Sequence, residues 1–480
     1  MRLAVPRTSS HIGQLGVLHQ TDVVELDAGE ATNNPSDHTT VGVSYSVLNM
    51  IQRKMVIMVP CKNEPPETIE GVLRGIPNQC FLALVSNSTR DSTADRYAKE
   101  VEMLQQFCRN TGRQGLAIHQ KDRGAAAALC QAGFPDLVGP DGTVRNGKGE
   151  GMILGMAVVA ALCPDMQYVG FIDADSKMPG SPHEYCRAYA SGFALYESAP
   201  SEDEQQHIMV RLRWRAKPKV RNGRLDFSVS EGRSSRVVNA WLNRTLALLW
   251  ERTETDGTTT ADDETDTDQV VSTANAGEHA MTMGLALKLR MAGGYAIEPF
   301  HFVDLLERQL RSPCLTPTSS AASSDIGCMS DAGSSTGSNT SSGSSSSGCL
   351  ETSPVRIVQI RTLNAHLHTE TEDSHVRNMW KMGLGTIYHH LFPLYSSPDA
   401  EDDELSESIN ALRREMLDFV IWDDRQFASD NGLPESPQES NDEILPRPMI
   451  YPPLETIDFA ALAKELRRNG AAESLHIVGH

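Results

Sequence analysis

Short apolar runs alternate with amphipathic stretches along residues 55–173, and each run ends in a polar or glycine-rich turn. Strands of a parallel sheet are apolar on both faces, whereas the connecting helices place an apolar residue at every third or fourth position. The pattern therefore predicts βα units with crossover helices over Thr93–Phe107 and Glu150–Leu162. The predicted strands are Met55–Pro60, Phe81–Ser86, Gly115–Gln120 and Tyr168–Asp173.

A polar cluster follows each of these strands. The carboxyl ends of parallel strands meet at one edge of an open sheet, which is where such folds bind ligands. CKNE (61–64), SNS (86–88), QKD (120–122) and DAD (173–175) should therefore lie together at that edge.

The remaining segments differ in composition. Residues 251–268 contain eight acids and one Arg, and residues 312–350 are rich in serine. Neither segment can bury enough apolar surface to offset its ordering entropy, so we expect both to be mobile insertions. The predicted divisions are a polar N-terminal extension (1–45), a main domain (46–311, continued at 351–373) and a helical C-terminal annex (374–480).

The chain carries 43 basic and 63 acidic residues, a net charge of −20. Repulsion disfavours nucleic acid and anionic membranes as partners, so an anionic ligand needs a local basic site. Neither a signal peptide nor a membrane span of about eighteen apolar residues is present in the sequence, which predicts a soluble cytoplasmic protein. The nine cysteines are scattered without a CxxC pair, which argues against a disulfide framework and a structural zinc site.

Asp173 and Asp175 directly follow the apolar run YVGFI. Two carboxylates at a strand end can face a common cation, and oxygen ligands suit Mg²⁺ or Mn²⁺ on a diphosphate. A turn capped by one Asp explains the same short pattern, which is common by chance. The position at the sheet edge favours the metal site.

Two glycine-containing segments, GKGEG (147–151) and STANAGEHAM (272–281), each lead into a predicted helix, the second beginning near Glu278. Helix N-termini offer unpaired N–H groups to phosphate or carboxylate, and Lys148 adds a full charge to the first segment. A flexible loop with a solvated lysine explains GKGEG equally well. His279 fits a ligand, an acid or a neutral helix residue.

Cations occupy every second position from Arg211 to Lys219. In an extended chain they project from one face, either towards an anion or as a solvated edge strand. His366 and His368 follow the apolar strand VRIVQI and should face the same way, so they could share a metal or divide a functional and a supporting role. Because HExxH and strand-linked forms of GxSxG and GxGxxG are absent from the sequence, phosphate chemistry with a divalent cation is the interpretation that remains.

Taken in order, the motifs VPCKNE, VSNSTRD, IHQKD, VRNGKGEGMILG, YVGFIDADSKMPG, MVRLRWRAKPK, ANAGEHAMT and QIRTLNAHLH closely resemble the mannosyl-3-phosphoglycerate synthase family between about Val56 and His368. The resemblance implies an α/β GT-A-like fold, a Rossmann-like mixed sheet of nucleotide-diphospho-sugar transferases. It also implies a retaining enzyme that transfers mannose from GDP-mannose to 3-phosphoglycerate with Mg²⁺, Mn²⁺ or Co²⁺. A homodimer is left open.

The resemblance also assigns the site residues. Beside the resemblance, our working hypothesis takes Asp173, Asp175, Lys148 and Arg211 as the catalytic residues. The implied donor pocket comprises Pro60, Lys62, Glu64, Ser86, Asn87, Gln120, Lys121, Asp122, Lys148, Asp173 and Ala174. The implied acceptor site comprises Arg145, Thr273, Asn275, Ala276 and Gly277. The implied metal ligands are Asp175, His366 and His368, and our working hypothesis pairs Asp175 with His366.

The chain departs from the family pattern near the histidines, where the family commonly reads QIET and NPHxHE. Here the corresponding letters are QIRT, with Arg361, and NAHLHTE. Two alternative functions follow: a related transferase that uses another sugar nucleotide, such as a glucosyl-3-phosphoglycerate synthase, and a non-catalytic scaffold. Intact DAD, GKGEG and NAGEH motifs argue against the scaffold.

Overall fold

The structure is a computed structural model that describes residues 1–12, 16–27, 38–91, 95–178, 180–196, 206–228, 231–251, 270–311, 354–368, 372–395, 404–432, 444–468 and 472–479. Apart from Glu251, the acidic insertion at 251–268 lies outside these ranges, and so does the whole serine-rich insertion at 312–350.

The described strands form one large sheet and two small two-stranded sheets. In chain order they are β1 (Arg2–Ala4), β2 (Arg7–Ile12), β3 (Gly16–Glu25), β4 (Thr40–Gly42), β5 (Met55–Cys61), β6 (Phe81–Ser86), β7 (Gly115–His119), β8 (Tyr168–Phe171), β9 (Ile208–Arg213), β10 (Lys219–Arg221), β11 (Arg224–Asp226), β12 (His279–Thr282), β13 (Met291–Ala292), β14 (Val355–Arg361), β15 (Ile450–Tyr451) and β16 (His476–Val478). The large sheet has the order β16-β7-β6-β5-β8-β12-β9-β14-β3-β1-β4, with β2 beside β3.

The described helices pack on both faces of this sheet. In chain order they are α1 (Tyr45–Gln52), α2 (Pro66–Gly75), α3 (Arg96–Thr111), α4 (Arg123–Gln131), α5 (Lys148–Leu162), α6 (Ser181–Ala194), α7 (Arg233–Glu251), α8 (Met283–Lys288), α9 (Ile297–Arg311), α10 (Asp373–Thr386), α11 (Phe392–Tyr395), α12 (Glu404–Asp430) and α13 (Phe459–Arg467). No helix within the described residues is long and apolar enough to cross a membrane.

Alternating residues of β5 divide the core into two layers, because successive side chains of a strand point to opposite faces. Val56 and Met58 belong to the cluster that includes α5, α7, α9, α10 and α12. Ile57 and Val59 belong to the cluster that includes α1, α2, α3 and α6. The sheet is therefore covered on both sides, which explains why its central strands are apolar throughout.

The predicted α/β class with a mixed, mainly parallel sheet is confirmed. Strands β7, β6, β5 and β8 are parallel neighbours in that order, and β12 lies antiparallel between β8 and β9. This order is that of a doubly wound sheet, and it brings the polar clusters that follow β5, β6, β7 and β8 to one edge.

The N-terminal segment is not the extension we expected. β3 pairs in parallel with β14 along seven residues, and β1 pairs with both β3 and β4. GVLHQTDVVE alternates buried and partly exposed positions over much of its length, so one side of an otherwise polar segment packs on the core. Residues 1–12 and 16–27 thus complete the large sheet.

The C-terminal region contains the expected helices α10 to α13, but it also contributes strands. β16 pairs with the edge strand β7, and β15 pairs with β13. These pairings tie the annex to the main domain at two separate points.

Candidate active site

The DAD segment lies at the end of β8, where Asp173 and Asp175 contact different partners. Asp173 Oδ1 is 2.8 Å from Lys148 Nζ. Asp175 Oδ2 is 3.7 Å from Nδ1 of His368. Both carboxylates are partly exposed, at 32% and 25% of the side-chain surface, so a ligand can reach them.

Lys148, the first residue of α5, holds its ammonium group between two carboxylates. Its Nζ atom is 2.8 Å from Asp173 Oδ1 and 3.0 Å from Glu298 Oε1. Burial alone lowers the pKa of Lys148, but Asp173 and Glu298 outweigh that effect and place the pKa well above its ordinary value. Lys148 therefore keeps its positive charge at the edge of the sheet.

The glycines of GKGEG pack the start of α5 against a neighbouring loop. A Cβ atom on Gly149 would lie 2.4 Å from the carbonyl oxygen of Ala292. Glu150 accepts hydrogen bonds from the N–H of Gly294 (2.8 Å) and the hydroxyl of Tyr451 (3.0 Å). These residues consequently fix the helix start that presents Lys148.

The expected helix near Glu278 is wrong, because residues 279–282 form β12, paired with β8 on one side and β9 on the other. Available strand edges on both sides override the local helix signal. His279 is fully buried, and burial together with Arg211 places its pKa well below the ordinary value, so it is neutral.

Glu278 is a functional candidate that the sequence interpretation missed. Its side chain is fully buried, and neither carboxylate oxygen has a hydrogen-bond partner among the described residues. Burial, with added repulsion from Asp173 and Asp175, raises its pKa to about 8 despite Lys148 and Lys217. A buried carboxylate without a hydrogen bond is unfavourable, and a cation bound beside the DAD segment would stabilise it.

The two histidines occupy different environments, because β14 ends at Arg361 and the chain beyond it is irregular. His366 is buried, stacks on Trp214 at 4.1 Å, and its Nδ1 atom is 3.1 Å from the hydroxyl of Tyr185. His368 is the histidine beside Asp175. The geometry thus favours His368 over His366 as the partner of Asp175.

The donor set fits a divalent cation that also binds a ligand. Burial and repulsion from Asp173 and Glu64 raise the pKa of Asp175 to about 7. This shift indicates that the positive charge near the Asp175 carboxylate is too small to offset its burial and the neighbouring acids. Within the described residues, no three His, Cys, Asp or Glu side chains already form a metal-binding group. Mg²⁺ commonly uses one or two carboxylates and completes its shell with water and substrate phosphates.

The expected donor residues divide into two groups. Asn87 is hydrogen-bonded to Asn146 at the exposed edge, and Glu64 lies close enough to Asp173 for their charges to interact. The second group has contacts within the protein: Ser86, Asp122 and Ala174 are buried, and Pro60 lies within β5. Gln120 donates to the carbonyl oxygens of Arg145 and Gly147, and Lys121 donates to the carbonyl oxygen of Val144. Lys62 donates its backbone N–H to Glu64.

Asp122 shows most clearly that a motif residue can serve the fold. Its Oδ1 atom caps α4 by accepting from the N–H of Ala125 at 2.7 Å, and its Oδ2 atom accepts from the N–H of Ser474, also at 2.7 Å. With both oxygens engaged, Asp122 anchors the C-terminal segment to the main domain.

The expected acceptor residues Thr273, Asn275, Ala276 and Gly277 lie in the loop before β12. Asn275 donates to Ser234 at 2.7 Å. A Cβ atom on Gly277 would lie 2.6 Å from Asp173 Oδ2, so this loop passes directly against the DAD segment. Arg145 is partly buried at the neighbouring edge and donates to the carbonyl oxygen of Asp136.

The expectation that Arg211 to Lys219 present five cations on one face is wrong. Arg211 is fully buried and donates to the carbonyl oxygens of Thr273 (2.9 Å) and Ala274 (3.1 Å), so its guanidinium supports the acceptor loop from inside the core. Lys217 is half-buried beside the Trp214 ring and interacts with Glu278 and Asp175. The strand ends at Arg213, so the alternation does not continue to Lys219.

Comparison with known proteins gives a consistent family match. A model of the mannosyl-3-phosphoglycerate synthase family matches residues 5–466. The chain is 34% identical over 389 residues to the mannosyl-3-phosphoglycerate synthase of Pyrococcus furiosus, covering 81% of this chain and 84% of the relative. It is 31% identical over 391 residues to that of Aeropyrum pernix, covering 81% and 85%.

Solved structures give a weaker likeness. Glucosyl-3-phosphoglycerate synthase from Mycobacterium tuberculosis in complex with phosphoglyceric acid matches with a TM-score of 0.41 at 16% identity, covering 73% of this chain and 85% of that one. Mannosyl-3-phosphoglycerate synthase from Rubrobacter xylanophilus matches with a TM-score of 0.41 at 12% identity, covering 75% and 82%. On the family match and the two sequence relatives, the chain belongs to the mannosyl-3-phosphoglycerate synthase family.

Proposed function

We propose that this enzyme transfers mannose from GDP-mannose to the hydroxyl group of 3-phosphoglycerate with retention of configuration, giving mannosyl-3-phosphoglycerate and GDP. Family membership supports the reaction class. The observation that carries the proposal is the cluster of Asp173, Asp175 and Glu278 with Lys148 at the carboxyl edge of the sheet.

Asp175 and His368 would hold a divalent cation such as Mg²⁺, Mn²⁺ or Co²⁺, with Glu278 and His366 close behind them. A bound cation of this kind supplies positive charge to the donor diphosphate. Glu278 supports this assignment, because its buried carboxylate accepts no hydrogen bond from the described residues and a cation would compensate its charge.

Lys148 would stabilise the negative charge that develops on the leaving GDP. Its ammonium group is held in place by Asp173 and Glu298. Fixed charges that face the site of charge development lower the transition-state energy more effectively than mobile ones.

The loop containing Asn275 and Gly277 would present the acceptor beside the DAD segment. In the proposed same-face reaction, the acceptor hydroxyl attacks the anomeric carbon as the bond to the diphosphate breaks, and the departing phosphate oxygen takes the hydroxyl proton. Arg211 contributes indirectly, because it holds the carbonyl oxygens of Thr273 and Ala274.

Turnover with purified protein tests the proposal. GDP-mannose and UDP-glucose are each incubated with 3-phosphoglycerate, with Mg²⁺ or with EDTA, and the products are identified by NMR. We expect mannosyl-3-phosphoglycerate from GDP-mannose in the presence of Mg²⁺. If product forms faster from UDP-glucose than from GDP-mannose, the donor is UDP-glucose and the donor assignment is wrong. If neither donor gives a product, the transferase proposal is refuted.

A further inference from the structure

A cavity of about 80 Å³ lies at the same edge of the sheet, but among the ends of β3, β14 and β9. In the strand register, Arg361 is paired with Asp22 of β3 on one side and with Arg213 of β9 on the other. Side chains at paired positions of neighbouring strands share a face of the sheet. The three residues therefore form a row along one wall of the cavity.

The cavity carries an excess of positive charge. Arg7, Arg213 and Arg361 line it, and Asp22 is the one acidic residue among the described residues that line it. The Arg361 guanidinium donates to both oxygens of Asp22, at 2.9 and 2.7 Å. Within the described part of the chain, no ion pair includes Arg7 or Arg213. Glu231 interacts electrostatically with Arg213, but its carboxylate is hydrogen-bonded to Asn239.

Two guanidinium groups at adjacent strand ends repel each other unless an anion lies between them. The planar fork of an arginine matches the oxygens of phosphate, and several such forks around one small cavity are suited to a single tetrahedral anion. A volume of about 80 Å³ suits a small anion. The net charge of −20 further disfavours an extended polyanion.

We propose that this cavity binds one phosphate-type anion, either free phosphate or the phosphate group of a small metabolite. The site goes beyond the proposed transfer reaction. It is separated from the DAD segment by β12, which lies between β8 and β9.

The cavity is connected to the acceptor loop through Gln359 and Ser272, which both line it. Gln359 Oε1 accepts from the N–H of Ser272 at 2.9 Å and from the hydroxyl of Thr273 at 2.8 Å. An anion in the cavity therefore lies next to Ser272 and Gln359, and the hydrogen bond between Gln359 and Thr273 links its binding to the position of Thr273.

Titration calorimetry tests the site. Sodium phosphate is titrated into the full-length protein in a chloride buffer of constant ionic strength, without a sugar nucleotide. We expect Arg213→Gln and Arg361→Gln each to weaken phosphate binding about tenfold or more, because each removes a charge-assisted contact. Lys219→Gln is the matched control, since it makes the same charge change on the exposed strand β10.

Three readouts decide the result. Circular dichroism and thermal melts establish that the variants are folded, and Arg7→Gln replaces either variant that does not fold. Binding that is weakened by the cavity variants but not by Lys219→Gln supports the site. Undetectable binding to the unaltered protein, or equal binding by all variants, overturns it. Because no transfer reaction is measured, failure of the proposed function leaves this outcome unaffected.

Discussion

Replacing Glu278 with Gln tests the electrostatics of the site in the cation-free protein. The substitution keeps the size of the side chain and removes a carboxyl group whose pKa is raised from 4.5 to about 8 by burial and by Asp173 and Asp175. Between these two values the folded protein retains a proton that the unfolded chain has released. The free energy of unfolding therefore falls as the pH rises from 4.5 to about 8.

The magnitude follows from the size of the shift. Each pH unit in this window changes the free energy of unfolding by about 1.4 kcal/mol for one such group. Between about pH 5.5 and about pH 7.5, the unaltered protein should lose about 3 kcal/mol relative to Glu278→Gln. Groups remote from Glu278 contribute nearly equally to both proteins and cancel in the difference, whereas Asp175 repels Glu278 and titrates in the same window, so its own shift adds to the measured change.

Urea unfolding in EDTA, followed by circular dichroism at several pH values, measures this difference. Glu150→Gln is the matched control, because Glu150 is also buried but already accepts two hydrogen bonds. It should lower the free energy of unfolding at pH 7 by about 1–3 kcal/mol. Parallel pH curves for Glu278→Gln and the unaltered protein would refute the assignment of Glu278 as an uncompensated buried acid.

Four further substitutions separate roles within the site. His368→Ala should weaken Mg²⁺ activation of turnover, whereas His366→Ala should mainly lower the melting temperature through lost stacking and packing; the reverse pattern would reassign the cation ligand. Asn275→Ala should raise KM for 3-phosphoglycerate more than for the donor in steady-state kinetics, and an effect confined to the donor would contradict the acceptor loop. Gly277→Ala should reduce kcat at least about tenfold, because its Cβ would lie 2.6 Å from Asp173 Oδ2; unchanged kcat would show that the loop can move without consequence.

The central strands could be predicted because they are buried on both faces and their sequences are therefore uninterrupted apolar runs. β5, β6 and β8 appear close to their predicted bounds, and the polar clusters that follow them meet at the expected edge. The N-terminal strands could not be predicted in this way. β3 is half polar, and its place in the sheet depends on pairing with β14, more than 300 residues later in the chain.

The site was predictable in position but not in its supporting contacts. DAD and Lys148 meet as expected because both are close to strand or helix ends. Arg211 and Arg213 are two residues apart on β9 and so project from the same face of the strand, as the alternation indicated. Only the tertiary structure shows that Arg211 is buried beneath the acceptor loop. Glu278 was missed because its role depends on burial beside residues that are distant in sequence.

In the proposed reaction, cleavage of the sugar nucleotide depends on a cation held at Asp175. The most direct test is the release of GDP from GDP-mannose in the presence of 3-phosphoglycerate, measured against Mg²⁺ concentration for the unaltered protein and for Asp175→Ala. We predict that release by the unaltered protein rises with Mg²⁺ to a plateau, while the folded variant shows none at any concentration. Equal Mg²⁺-dependent release by the variant would contradict the account.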